Sequence, residues 1–326
     1  MPDLQQTEDE LLLQNILKNR QSAQKTDSTP RKVSVNLKTK KTSTDIVTNL
    51  PDERAVLVPA TPKHFQPMTS PLAVSSLFTS FKPRNRQSSF IRERKIGKYA
   101  FYDVYYVNGE RLDYRDEEII MAIFNIFSRH QAPASRNVLQ VTTSYLLQYL
   151  NRKKGGTNSV WLHQRLEVLS QSLFSLRSTD LNISADHGQY TLFHIFESVS
   201  FDNGMISIVL DKTWQLIFSQ FPVTLVYTPV RLQLKSGHAR VIHRLLSTCS
   251  TNPIYEITEE KLIQYLGWEG TRLRDFWLAV TAASEELIEK GIIETYQILP
   301  SATNRPKIRF YINFGTLKPG LLSNKK

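Results

Sequence analysis

Two short runs of side chains have the types and spacing needed to read the edge of a nucleic-acid base. The first holds Thr157, Trp161, His163 and Gln164; the second holds Thr271, Arg272, Arg274 and Asp275. An arginine can bridge guanine O6 and N7 in a major groove, and a glutamine amide can pair with adenine N6 and N7. Arg305, Lys307 and Arg309 follow the second run and place charge at or near the tip of an expected hairpin, suited to phosphates or a minor groove. Protection of a strand edge by charge is an alternative role for each of these three. Arg84 and Arg86 belong to another basic stretch, Ser70 to Lys98, in which Phe81 and Phe90 lie among the cations. Such a stretch suits an arm laid along phosphates, and equally a solvated linker.

Other chemistries find little support. The seven histidines are scattered, and only His238 and His243 share an expected helix. Their five-residue separation is wrong for a metal pair on one face, and no nearby carboxylate completes it. Cys249 is the only cysteine, which rules out an intrachain disulfide and argues against a thiolate metal cluster. It reads as a small core residue at a helix end. Neither GxGxxG nor GxxxxGK[ST] occurs, and no His cluster with a nucleophilic Tyr is found, so nucleotide-dependent and relaxase chemistry lack their groups. The expectation is a binding protein, not an enzyme, with no metal or cofactor.

The candidate base readers owe their placing to an internal repeat. Val141-Thr142-Thr143-Ser144-Tyr145-Leu146-Leu147-Gln148-Tyr149-Leu150 recurs as Ile257-Thr258-Glu259-Glu260-Lys261-Leu262-Ile263-Gln264-Tyr265-Leu266, at a constant offset of 116. Each copy follows an apolar helix and a short strand, and precedes a Gly-containing turn, a long helix and an aromatic-rich hairpin. Helix, strand, helix, turn, helix, hairpin is the plan of a winged helix-turn-helix. Thr142 and Thr258 sit where N-caps belong, and Thr157 and Thr271 are expected to cap the long helices. In the first long helix Leu162, Leu166, Leu169, Leu173 and Leu176 form a core stripe; in the second, Leu273, Phe276, Val280, Ala283 and Leu287 do. Off the stripes lie the candidate readers with Val160 and Leu278, although Trp161 also suits an inward position. In helix-turn-helix docking the N-terminal residues of the second helix meet the bases.

Composition agrees. Lys and Arg outnumber Asp and Glu by 41 to 30, giving a formal charge of +11, which favours a polyanionic partner through counterion release. With 40% apolar and 10% aromatic residues, most of the chain can build a core. Residues 1–70 are the exception: rich in Gln, Ser, Thr, Lys and Pro, they read as a disordered tail, with one island from Thr7 to Leu17 of capping-box and helical spacing. The expected architecture is therefore α+β: tail 1–70, basic linker 71–98, winged-helix domains 99–222 and 223–320, and a basic tail 321–326. Within the first domain, Tyr99 to Val107 alternates as a strand ending in a turn at Asn108-Gly109. No signal peptide or membrane span is read, and a cytoplasmic location is expected.

At four places the sequence resembles the TrfA-like plasmid replication initiators, iteron-binding Rep proteins. These are Ser76-Leu77-Phe78-Thr79, Asp113 to Glu118, Leu234-Lys235-Ser236-Gly237-His238-Ala239-Arg240, and Thr271-Arg272-Leu273 with Glu285-Glu286-Leu287 downstream. The resemblance spans roughly residues 75–314. It implies binding of direct repeats (iterons) in double-stranded origin DNA, recruitment of a host initiator and replicative helicase, and exchange between a homodimer and DNA-binding monomers. A sliding-clamp peptide is a further family feature. Val74 to Phe78 ends in the appropriate Leu-Phe without the leading Gln, and aligns better with the segment that opens the domains. The competing reading is a winged-helix transcriptional regulator, which would normally carry one such domain per protomer.

Overall fold

The computed structural model of the chain describes residues 46–47, 58–80, 90–99, 102–130, 138–178, 190–300 and 306–321. The chain divides into Met1–Ser43 and Thr44–Lys326, and all described residues belong to the second unit. The expected helical island from Thr7 to Leu17, and Arg84, Arg86 and Arg305, lie outside the described residues.

The elements run β1 (Ile46–Val47), β2 (Phe65–Thr69), α1 (Ser70–Ala73), β3 (Phe78–Thr79), β4 (Phe90–Tyr99), β5 (Tyr102–Glu110), β6 (Leu112–Asp113) and α2 (Tyr114–His130). Next come β7 (Val138–Thr142), α3 (Thr143–Tyr149), α4 (Gly156–Gln171), β8 (Leu173–Ser178), β9 (Tyr190–His194), β10 (Phe196–Asp202), β11 (Met205–Leu210) and α5 (Thr213–Gln220). The chain continues with β12 (Val223–Tyr227), α6 (Thr228–Arg231), α7 (Gly237–Ser247), β13 (Ile254–Thr258), α8 (Glu259–Leu266), α9 (Leu273–Glu289), β14 (Ile293–Leu299), β15 (Lys307–Ile312) and α10 (Phe314–Leu317). Helices and strands are thus mixed along the chain.

Two cores form, one from Val58 to Val226 and one from Val230 to Leu317. In the first half α2, β7, α3, α4 and the β10–β11 hairpin follow in order, with β11 returning antiparallel beside β7 so that Ile206 faces Val141 and Ile208 faces Leu139. In the second half α7, β13, α8, α9 and the β14–β15 hairpin do the same, with Ile308 facing Ile257. The first half alone sends two strands out between its long helix and its hairpin: β8 and β9 join β4 and β5 in a sheet ordered β4-β5-β8-β9.

The structure corrects the sequence reading at several places. Residues 58–80 are not tail and linker. Strand β2 pairs with β12 from Phe65↔Tyr227 to Thr69↔Val223, and Met68, Leu72, Ala73, Leu77 and Phe78 are buried. The polar composition misled because the hydroxyls bond to backbone carbonyls: Ser70 to Pro222, Ser75 to Leu72, Ser76 to Ile96 and Ser80 to Leu266. Residues 90–99 are likewise a sheet strand. The turn expected at Asn108-Gly109 lies inside β5, at a bulge between Tyr106 and Asn108, where the Tyr106 hydroxyl donates to the Glu110 carbonyl at 2.6 Å. Leu173 and Leu176 sit on β8, because α4 stops at Gln171; Ser172 turns extended and its hydroxyl donates to the Val168 carbonyl at 2.9 Å.

Helix α2 is apolar almost all round, and Ile119 to Phe124, Ile126 and Phe127 are buried, as befits a helix running through a core. Its first turns carry three consecutive carboxylates, where the helix dipole favours negative charge. Asp116 takes the Arg165 guanidinium of α4 in two bonds of 2.7 and 2.8 Å. Glu117 pairs with Arg231 of α6 at 2.9 Å and Arg244 of α7 at 3.0 Å, all three side chains essentially fully buried. Glu118 pairs with Arg240 of α7. Removing one partner of a buried ion cluster strands the others without solvent, so Glu117→Ala is expected to destabilise the chain by about 3–5 kcal/mol in urea unfolding.

Beside this cluster His243 is fully buried, with no hydrogen-bond partner at either ring nitrogen. Burial, and then the Arg231 charge, push its pKa down to about 3. The unfolded imidazole protonates near its ordinary value of about 6.5 whereas the folded one stays neutral. Its stabilising contribution is therefore complete above that value and declines as pH falls toward 3. Unfolding free energies measured between pH 7 and 4 should fall less steeply in His243→Leu than in the unsubstituted chain.

Candidate nucleic-acid interface

The two halves brace their last helices in the same way. Thr142 accepts from the Tyr145 N–H at 3.0 Å and Thr258 from the Lys261 N–H at 3.4 Å, so both expected N-caps are formed. The N–H of the next residue reaches the hairpin: Thr143 donates to the Gly204 carbonyl at 2.9 Å, and Glu259 to the Pro306 carbonyl at 3.0 Å. Those same two residues hold the long helix by their side chains. His163 Nε2 lies 3.1 Å from Thr143 Oγ1, while the Trp277 indole N–H donates to the Glu259 carboxylate at 2.6 Å.

These matches fix the alignment of α4 with α9. Leu162, Leu166 and Leu169 take the buried positions that Phe276, Val280 and Ala283 take in the second half. The long helices therefore correspond at a shorter offset than the preceding ones, and the second turn is two residues shorter. The solvent faces then match as Thr157 with Thr271, Val160 with Arg274, and Gln164 with Leu278, every one of them exposed. Thr157, Val160 and Gln164, three and four residues apart, lie on one side of α4, and Arg274 and Leu278 share a side of α9, with Thr271 just ahead of its N-cap.

The remaining sequence candidates fall into different places. Trp161 is half-buried on the first core with the Arg152 guanidinium 3.8 Å over its ring, so its alternative inward position is the one it takes. His163 is stacked on Phe201 at 4.3 Å besides its bond to Thr143, and acts as a brace between helix and hairpin. Arg272, at the N-cap, and Asp275, in the first turn of α9, are exposed. Neither Thr157 nor Thr271 caps a helix: Gly155 and Arg272 occupy the cap positions, with no side-chain cap bond. Backbone N–H groups at both helix starts are left without a side-chain acceptor, an arrangement compatible with phosphate.

Lys307 and Arg309 stand on β15, not at the hairpin tip. Opposite them on β13 is Glu256, which accepts from Lys307 Nζ at 2.5 Å and Arg309 Nε at 2.6 Å. Those two bonds hold the Glu256 carboxyl below the usual carboxylate range. The basic stretch of the first half contributes Arg92, Arg94 and Lys98, all exposed on edge strand β4, whereas Lys95 is bound to Asp103 at 2.6 Å.

What the sequence did not single out is the apolar part of the exposed faces of α4 and α9. Val160 is 56% exposed and Leu278 58% exposed, and such side chains suit a thymine methyl. The signal was present as a large apolar residue off each core stripe. Replacing Glu256 with Gln would release Lys307 and Arg309. That variant should elute from heparin at higher salt than the unsubstituted chain, with a steeper salt dependence.

No helix among the described residues is long and apolar enough to cross a membrane. No protein-family model matches the sequence, and no curated protein matches it significantly. Among solved structures the chain is similar to a crystal structure of selenomethionine-labelled domains 2 and 3 of RctB. The two share 12% identity and a TM-score of 0.48, over 72% of this chain and 94% of that one. A second crystal structure of RctB domains 2–3 gives 11% identity and a TM-score of 0.49, over 74% and 96%. At this level of likeness nothing about the activity of the present chain follows from either.

Proposed function

We propose that the chain is a plasmid replication initiator that reads direct repeats in double-stranded origin DNA through two tandem winged helix-turn-helix domains, without catalysis or cofactor. The observation that carries DNA reading is the matched bracing of α4 and α9, which turns Thr157, Val160 and Gln164 outward in one half and Thr271, Arg274 and Leu278 in the other. Reading helices in two unlike copies suit two successive major grooves of an asymmetric repeat. Initiation itself rests on the resemblance to TrfA-like proteins at Ser76–Thr79, Asp113–Glu118, Leu234–Arg240 and Thr271–Leu273, and a host initiator and helicase are its expected partners.

The chemistry assigns bases. Gln164 pairs with adenine and Val160 meets a thymine methyl in the first half-site; Arg274 bridges guanine O6 and N7 and Leu278 meets a thymine methyl in the second. Selection from randomised duplexes, followed by footprinting on the encoding replicon, tests this. Tandem direct repeats should be protected, and Arg274→Ala should relax preference at one guanine position at a cost of about 1–3 kcal/mol, leaving other positions unchanged. Protection confined to a promoter palindrome would favour a transcriptional regulator. Binding indifferent to sequence would remove base readout altogether.

A further inference from the structure

The turn that joins α8 to α9, Gly267 to Gly270, is held by residues of the first half. Ser80 donates both its backbone N–H, at 3.0 Å, and its hydroxyl, at 2.8 Å, to the Leu266 carbonyl at the end of α8. Arg111, which is buried, donates to the Gly267 carbonyl at 3.0 Å and forms an ion pair with Glu269. Gly267 ends α8 in the left-handed region at φ 63°, and the Thr79 methyl occupies the space where a Cβ would stand. Gly237 of α7 leaves no room for a Cβ either, because the Ser80 carbonyl and the Tyr114 ring are there.

From the turn the contact continues into the reading helix. The Trp268 indole N–H donates to the Gly270 carbonyl at 3.0 Å, and its ring meets Phe276 of α9 at 5.6 Å between centroids. On its other side Trp268 faces His238 at 5.9 Å. The corresponding turn of the first half is built differently: Asn151, Lys153 and Lys154 are exposed.

We propose that Arg111, together with Thr79 and Ser80, acts as a positioning residue that locks the pose of α9 against the first half, so that the two reading helices engage DNA at a single half-site separation. The inference rests on the DNA-reading proposal above. One inserted base pair moves the second half-site by about 3.4 Å and turns it by about 34°. A hinged pair of domains absorbs that displacement, whereas a pair joined by direct backbone bonds at the turn does not. Arg111 reaches no base in this scheme and acts only through the geometry of the turn.

The test uses the full chain and a series of duplexes carrying both half-sites with the spacer shortened or lengthened by one or two base pairs. The unsubstituted chain should bind one spacing, with losses of about a hundredfold at its neighbours as two-site engagement is forfeited. In Arg111→Ala the preferred spacing should lose affinity and the neighbouring spacings should approach it. Glu269→Gln, at an exposed side chain whose loss leaves the carbonyl bond intact, should show the same trend more weakly. Thermal unfolding checks that each variant is folded; should Arg111→Ala fail to fold, Glu269→Gln carries the test. Spacing selectivity as sharp in the folded variants as in the original overturns the proposal. An unsubstituted chain that reads sequence yet tolerates every spacing overturns it alone, and one that reads no sequence overturns DNA reading with it.

Discussion

Three consecutive carboxylates at the start of α2 anchor the rest of the structure. Asp116 holds α4 through Arg165, Glu117 holds α6 and α7 through Arg231 and Arg244, and Glu118 holds α7 through Arg240. A single turn of one helix thereby orients the long helix of its own half and the opening helices of the other. Such an arrangement is stable only as a whole, since each buried guanidinium needs its carboxylate in place. Arg244 also donates to the Ser75 carbonyl at 3.1 Å, which draws the β2–α1–β3 segment into the same joint. The segment that opens the first half thus becomes a shared wall of both.

Several arginines serve the joint between the halves and are not part of any outward basic surface. Arg111, Arg165, Arg231 and Arg244 are buried in ion pairs, and Arg240 is half-buried in another. On the reading helices only α9 brings arginines to the exposed face, as Arg272 and Arg274; α4 offers Thr157, Val160 and Gln164. Glu110, Asp116, Glu117, Glu118 and Glu269 match the guanidiniums of Arg111, Arg165, Arg231, Arg240 and Arg244, so the ion pairs are neutral and the excess of +11 comes from other residues.

The repeat was legible because it is written in small, local rules. Thr142 and Thr258 cap as expected, and Leu146, Leu150, Leu262 and Leu266 are buried as the periodicity requires. The α+β mixture followed from the same rules. Harder to see were features that depend on distant partners. Residues 65–80 look like tail and linker by composition, because nothing local reveals that their hydroxyls will find carbonyls up to 186 residues away. His163 looks like a base reader for the same reason: its partners, Thr143 and Phe201, come from a different helix and from the hairpin. The segments that resembled the initiator family carry a physical meaning too. Glu117, Glu118, Arg240, Thr79 and Gly237 all lie at the joint between the halves.

The unlike faces of α4 and α9 have a consequence for higher order. Two identical readers related by a two-fold axis would leave a bound chain indifferent to which way it faces along a duplex. With valine and glutamine on one helix and arginine and leucine at the matched positions on the other, the molecule has a head and a tail. If the chain binds direct repeats as proposed, every bound copy points the same way, and the row presents different surfaces at its two ends. A polar row of this kind distinguishes upstream from downstream.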